Sequence, residues 1–188
     1  MLRFQTSADW TQCVLDDFDT FLLDHAACEK KASSMAMAMV SHYPDKPDLI
    51  RAMIDLAIEE LSHYRDVFKI LDQRGLALSA DVKDPYVIAF RQSIRQGTEE
   101  YLLDRLLIAA IIEARGHERF GLIADALEAG SLKQFYIAIT RSECRHYELF
   151  LDIAKLYIPE ATITTRLDQL LDREAEIVSK LPLRAALH

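Results

Sequence analysis

Glu29 followed by Glu60-x-x-His63, and Glu113 followed by Glu143-x-x-His146, are two copies of one pattern in a chain of 188 residues. Glutamate supplies oxygen donors and histidine a neutral nitrogen. One Glu from each of two helices, with a Glu-x-x-His from each of two others, is the ligand set of a carboxylate-bridged two-metal site inside a four-helix bundle. A single Glu-x-x-His means little, since most lie on solvated helix faces. Two, each a helix length after another glutamate, read as the halves of a repeat.

Helical spacing puts all six residues where core residues belong. The stripe on the second long helix runs Met53, Leu56, Ala57, Glu60, His63, Tyr64, Val67, Leu71, and on the fourth Tyr136, Ile139, Glu143, His146, Tyr147, Phe150, Ile153. Glu113 falls among Leu106, Ala109, Ala110, Gly116, Phe120 and Ala124, and Glu29 among Leu22, Ala26, Ala32, Ala36 and Val40. Ionised carboxylates in such surroundings cost several kcal/mol each unless a cation offsets them. Carboxylates and imidazoles without thiolates suit iron or manganese better than structural zinc. Two iron ions are expected.

Neighbouring residues are read more plainly. Cys28 and Cys144 flank ligand positions as small packing residues, and Tyr64 and Tyr147 follow the two histidines as core aromatics. His25, one turn before Glu29, and His117, one turn after Glu113, are either outer groups around the ligands or ordinary helix residues. Glu59 and Glu118 turn about 100° away from their neighbours and are expected in salt bridges or solvent.

The elements that must position these residues are all helical. Periodicity predicts a helical region over about 8–42, with a short helix before a long one and a stop at Pro44 and Pro47. Further helices are expected over about 47–74, closed by Gly75, 98–129, closed by Gly130, and 131–158, closed by Pro159. A last one, over about 162–180, carries Leu167, Leu170, Leu171 and Ile177 on one side. Residues 76–97 are the least regular, with a short helix after Pro85, and suit the long crossover of a ferritin-like bundle. The expectation is a single all-α domain over 1–188: a ferritin-like four-helix bundle with a long crossover connection and flanking helices.

Composition narrows the rest. A net charge of −8 argues against a broad basic surface, although four ligand carboxylates account for part of it. Local basic groups remain at Lys30 and Lys31, and at Arg141 and Arg145. Three scattered cysteines suit a reducing compartment. With no apolar run of membrane length and no signal-like start, the cytoplasm is the expected location.

Several segments carry a more specific likeness: DHAACEKKAS (24–33), HYPDKP (42–47), EELSHYRDV (59–67), IIEARGHERF (111–120) and SECRHYELF (142–150). With these the sequence resembles the MiaE tRNA hydroxylases over nearly its whole length. The resemblance implies that Glu29, Glu60, His63, Glu113, Glu143 and His146 bind a nonhaem di-iron centre. It also implies insertion of one oxygen atom from O2, the co-substrate, into the isopentenyl group of 2-methylthio-N6-isopentenyladenosine beside the anticodon of tRNA. An electron-donating reductase follows as a partner, and Lys30, Lys31, Arg115, Arg119 and Arg145 stand near the motifs as candidates for tRNA phosphates. His117 departs from the family pattern, where a small or thiol-bearing residue is more common. Two other functions fit the ligand pattern alone: iron storage or peroxide detoxification of the ferritin type, and hydroxylation of a free small molecule.

Overall fold

Helical periodicity is realised as seven α-helices in the computed structural model, which describes residues 2–188, and no strand occurs among the described residues. They are α1 (Ala8–Asp16), α2 (Phe18–His42), α3 (Pro47–Gln73), α4 (Pro85–Arg91), α5 (Thr98–Ala126), α6 (Ser131–Tyr157) and α7 (Glu160–Val178). By backbone contacts the chain divides into two compact units, Gln12–Val82 with Arg184–Leu187, and Lys83–Leu183 with the N-terminal residues through Thr11 and His188.

The first unit is built on the α2–α3 hairpin. Asp17 caps α2 by accepting from the Thr20 N–H at 3.3 Å, and Pro47 opens α3 at a position where its missing N–H costs nothing. Gly75 ends α3 in a left-handed conformation, φ 70°, with its N–H on the Asp72 carbonyl and the Leu76 N–H on the Leu71 carbonyl, both at 2.9 Å. This double closure satisfies the last carbonyls and explains the stop read from the sequence. Leu22, Ala26, Ala36 and Met39 of α2 and Leu49, Met53, Leu56, Val67 and Leu71 of α3 supply its buried apolar side chains. The Ser33 hydroxyl donates to the Ala57 carbonyl at 2.8 Å and sets the hairpin register.

The second unit contains α4 to α7, with α5 at its centre. Much of the circumference of α5 is buried, as for a helix enclosed on several sides. Its end differs from the expected boundary at 129. The helix stops at Ala126 because Leu127 turns to extended backbone, and Lys133 of α6 donates to the carbonyls of Leu127 at 3.1 Å and Asp125 at 3.3 Å. A lysine there answers the unsatisfied carbonyls and the negative end of the helix dipole. Glycine at position 130 is extended, φ 167°, so it does not cap α5. On α7 the fully buried apolar positions are Ile163, Leu170, Ile177 and Val178, with Leu167 and Leu171 half-buried.

Two ionic networks fix this unit. Arg115, wholly buried, holds the Glu174 carboxylate at 2.8 and 3.0 Å, donates to the Phe4 carbonyl at 2.9 Å, and contacts Thr6 and Glu118. Arg119, 7% exposed, stacks over Trp10 at 4.8 Å, and burial followed by the nearby Arg115 charge brings its pKa down to about 10. Both arginines are therefore structural, a correction to their candidacy as phosphate contacts. The partners that bury Arg115 come from the far ends of the chain.

Asp104, fully buried, accepts from the Arg95 backbone and side chain at 2.8–2.9 Å and from Arg166 at 2.8 and 2.9 Å. Burial would raise its pKa, but the Arg95 and Arg166 bonds outweigh burial and hold it below the usual aspartate value. A carboxyl depressed in the folded state contributes stability above its unfolded pKa and loses it as pH falls through the folded value. Asp104→Ala is expected to cost about 3 kcal/mol at neutral pH by leaving Arg166 without its buried partner. Urea unfolding should show the gap to wild type closing below about pH 4; a gap that does not change with pH would contradict this assignment.

Candidate metal centre

In the first unit, α2 supplies Glu29 and α3 supplies Glu60 and His63, with the carboxylates 4% and 1% exposed. The His63 Nδ1 atom lies 3.5 Å from Glu29 Oε2 and 3.4 Å from Glu60 Oε2. One donor atom from each of the three lies within 4.8 Å of the others, close enough for a shared ion. On its other side the His63 ring turns Nε2 toward Glu59, 3.8 Å away, the orientation in which a carboxylate steadies a ligand histidine.

His25, completely buried one turn before Glu29, contacts Glu29 Oε1 through Nε2 at 2.7 Å. The residue is therefore packed directly against Glu29 and is not an ordinary helix-surface group. Burial pushes the Glu29 carboxyl up, yet the contacts with His25 and His63 win and hold it well below the ordinary carboxylate range. Burial lowers His63, but Glu29 and Glu60 raise it to about 9. The pocket thus favours positive charge between two carboxylates.

In the second unit, α5 supplies Glu113 and α6 supplies Glu143 and His146, which are 6, 5 and 2% exposed. His146 Nδ1 lies 3.7 Å from Glu113 Oε2. Gly116 stands against Glu143: a Cβ there would come within 2.9 Å of Oε2. The glycine is a cradle for the carboxylate, a role its place among the small neighbours of Glu113 only hinted at. Where Glu29 has His25 one turn before it, Glu113 has Ala109, so the halves share ligand types but differ around them. His117 is exposed and its Nδ1 contacts the Thr140 carbonyl at 2.8 Å, tying α5 to α6.

Each unit therefore carries two glutamates and one histidine on the apolar stripes that the sequence indicated; in the first the three meet, and in the second Glu113 meets His146 while Glu143 lies against Gly116. The oxygen-rich set with one imidazole per half and no thiolate fits iron, and close-set buried carboxylates require a cation nearby. Tyr64 and Tyr147 are only half-buried, and Cys13, Cys28 and Cys144 are free thiols. Lys30 contacts Asp81 at 2.8 Å and Lys31 the Val82 carbonyl at 2.9 Å, while Arg141 and Arg145 are exposed on α6. Among the described residues no helix is long and apolar enough to cross a membrane.

The family described as tRNA-(MS[2]IO[6]A)-hydroxylase (MiaE) matches residues 1–188. A tRNA 2-(methylsulfanyl)-N(6)-isopentenyladenosine(37) hydroxylase of Pseudomonas putida is 35% identical over 169 residues, covering 90% of this chain and 82% of the relative. The hydroxylase of the same description from Salmonella typhimurium is 31% identical over 155 residues, which is 82% of this chain and 56% of the relative, so the match spans little more than half of that protein. Among solved structures, a Synechococcus protein described as having aldehyde deformylating oxygenase activity superimposes with a TM-score of 0.94 at 32% identity, covering 100% of this chain and 94% of the other. The all-helical, ferritin-like fold expected from the sequence is the one the chain has.

Gly116→Ala isolates the cradle. Alanine should raise helix stability by about 1 kcal/mol while displacing the Glu143 carboxylate, the movable end of a flexible side chain. Calorimetry of the metal-free protein is expected to show an unchanged or higher melting temperature, and ferrous iron titration an affinity lower by about 10-fold or more. Unaltered iron affinity would remove Glu143 from the ligand set.

Proposed function

The chain belongs to the MiaE family of tRNA hydroxylases, and from that membership we propose that it hydroxylates the isopentenyl group of 2-methylthio-N6-isopentenyladenosine next to the anticodon of tRNA. The observation that carries this reading is the occurrence, in a chain matched by the family from end to end, of two buried glutamates and a histidine on the core-facing stripes of each unit. We assign Glu29, Glu60, His63, Glu113, Glu143 and His146 as the ligands of one nonhaem di-iron centre, with the two units acting as halves of a single domain.

Held by these six residues, two irons would supply reductive activation of O2, with the overall balance of one oxygen atom inserted into a terminal allylic C–H bond and the other released as water at the expense of two protons and two electrons from a separate reductase. The protein's own residues do the remaining work. His25 holds Glu29 in place as an anion, and Glu59 faces the outer nitrogen of His63. Around Glu113, the buried Leu106, Ala109, Ala110 and Phe120 keep water out and suit an isoprenoid tail. On the exposed side of α6, Arg141 and Arg145 are the basic groups that would meet phosphates in this reading, so tRNA affinity should fall steeply with salt. With tRNA as the substrate, the cytoplasm is the location this reading expects.

The Synechococcus neighbour's activity gives a second reading, oxygen-dependent deformylation of an aldehyde on the same helical frame. Iron storage of the ferritin type would instead require a closed shell of many subunits.

The test loads the protein anaerobically with ferrous iron, adds isopentenylated tRNA, O2 and a reductant, and analyses digested nucleosides by mass spectrometry. Gain of one oxygen on the isopentenyl nucleoside, dependent on iron and O2, is expected. Glu113→Ala should lose iron binding and lower hydroxylation together by more than about 100-fold, with helix content retained. Full activity in that variant would sink the ligand assignment, and turnover of an aldehyde with none of tRNA would favour the second reading.

A further inference from the structure

The outward face of α3 carries a pattern that the metal centre does not use. Ile54, Ile58, Leu61 and Phe68 are 39, 64, 55 and 41% exposed, an unusual run of large apolar side chains for a helix facing water. Their spacing, with exposed Arg65 between Leu61 and Phe68, alternates between four and three residues, the a–d spacing of a helix-pairing seam. The seam continues to exposed Arg51 at one end and exposed Asp72 at the other. The bond from Ser33 to the Ala57 carbonyl places Met37, one turn along α2 and 47% exposed, level with the turn of α3 that holds Ile54. The apolar stripe is broadened there.

We propose that this face pairs with the same face of a second copy of the chain, the two α3 helices running antiparallel about a twofold axis near Leu61. The charges along the seam choose both the partner and the direction. In the antiparallel arrangement Leu61 meets Leu61 of the other copy, Ile54 meets Phe68, and Ile58 lies along the aliphatic stem of Arg65. Arg51 at one end then meets Asp72 at the other, and the Arg65 guanidinium reaches Asp55. A twofold contact repeats each pairing, so one complementary stripe suffices for both halves. A parallel arrangement would oppose Arg51 to Arg51, Arg65 to Arg65 and Asp72 to Asp72.

Arg51 now contacts Asp48 at 2.7 Å, and Arg65 the Ser62 hydroxyl at 2.7 Å and Asp66 at 3.5 Å; such exposed pairs are worth little and exchange readily. Asp55, Asp66 and Asp72 beside the stripe disfavour nucleic acid as its occupant. A stripe about 30 Å long and about 10 Å wide buries less than a standard specific interface, so association should be weak and depend on concentration.

Sedimentation velocity of the full chain over about 1 to 200 µM tests this. Wild type should pass from monomer to dimer, and Leu61→Asp should remain a monomer with unchanged circular dichroism. Arg51→Glu should weaken the dimer about 10-fold, and adding Asp72→Arg to it should restore association, which only antiparallel self-pairing predicts. A wild-type monomer throughout, or an undiminished dimer in Leu61→Asp, would overturn the proposal. Failure of the double reversal would overturn its antiparallel register. Loss of tRNA binding in Leu61→Asp, from a wild type that stays monomeric, would give the face to RNA instead.

Discussion

Carboxylates buried beside one another on apolar helix faces are the constraint that the rest of this molecule answers to. Glu29 and Glu60 in one unit, and Glu113 and Glu143 in the other, are nearly inaccessible to water. Lost hydration and mutual repulsion would drive such groups to neutrality or unfold the helices around them. In the first unit the histidines answer the charge, with His25 and His63 both placed against Glu29 and His63 raised to about 9. A site that already draws positive charge between its carboxylates suits a cation, and the oxygen-rich donors fit the iron proposed for it.

Such a site demands a rigid frame. Helix ends are closed by Gly75 and Lys133, so register along the ligand helices does not drift. Arg115, two residues from Glu113, is locked by Glu174, Glu118 and the N-terminal backbone, and this pins the ligand-bearing turn of α5 within its unit. The halves are not equivalent. His25 supports one carboxylate directly, whereas Gly116 only makes room for another, so the repeated ligand pattern sits in two different environments.

Much of this was legible in the sequence because its signals are local. The 3.6-residue period placed the six proposed ligand residues on core stripes, and prolines and Gly75 marked the ends of α2, α3 and α6. The family resemblance, which rested on segments such as IIEARGHERF, agrees with the family match over residues 1–188. What was illegible depends on distant partners. Arg115 and Arg119 resembled surface cations because nothing near them in sequence announces Glu174, Phe4 or Trp10. The end of α5 was misplaced because the lysine that caps it belongs to the next helix. His25 and His117 looked alike by spacing, and only packing separates one against Glu29 from the other against the Thr140 carbonyl.

The central claim is that the two Glu-Glu-His clusters hold one centre of two irons. Mössbauer spectroscopy of protein loaded with isotopically enriched iron tests it most directly. Two irons per chain, both high-spin in oxygen and nitrogen surroundings and magnetically coupled after oxidation, are the predicted result. A single iron per chain, or two that titrate and oxidise independently without coupling, would contradict it.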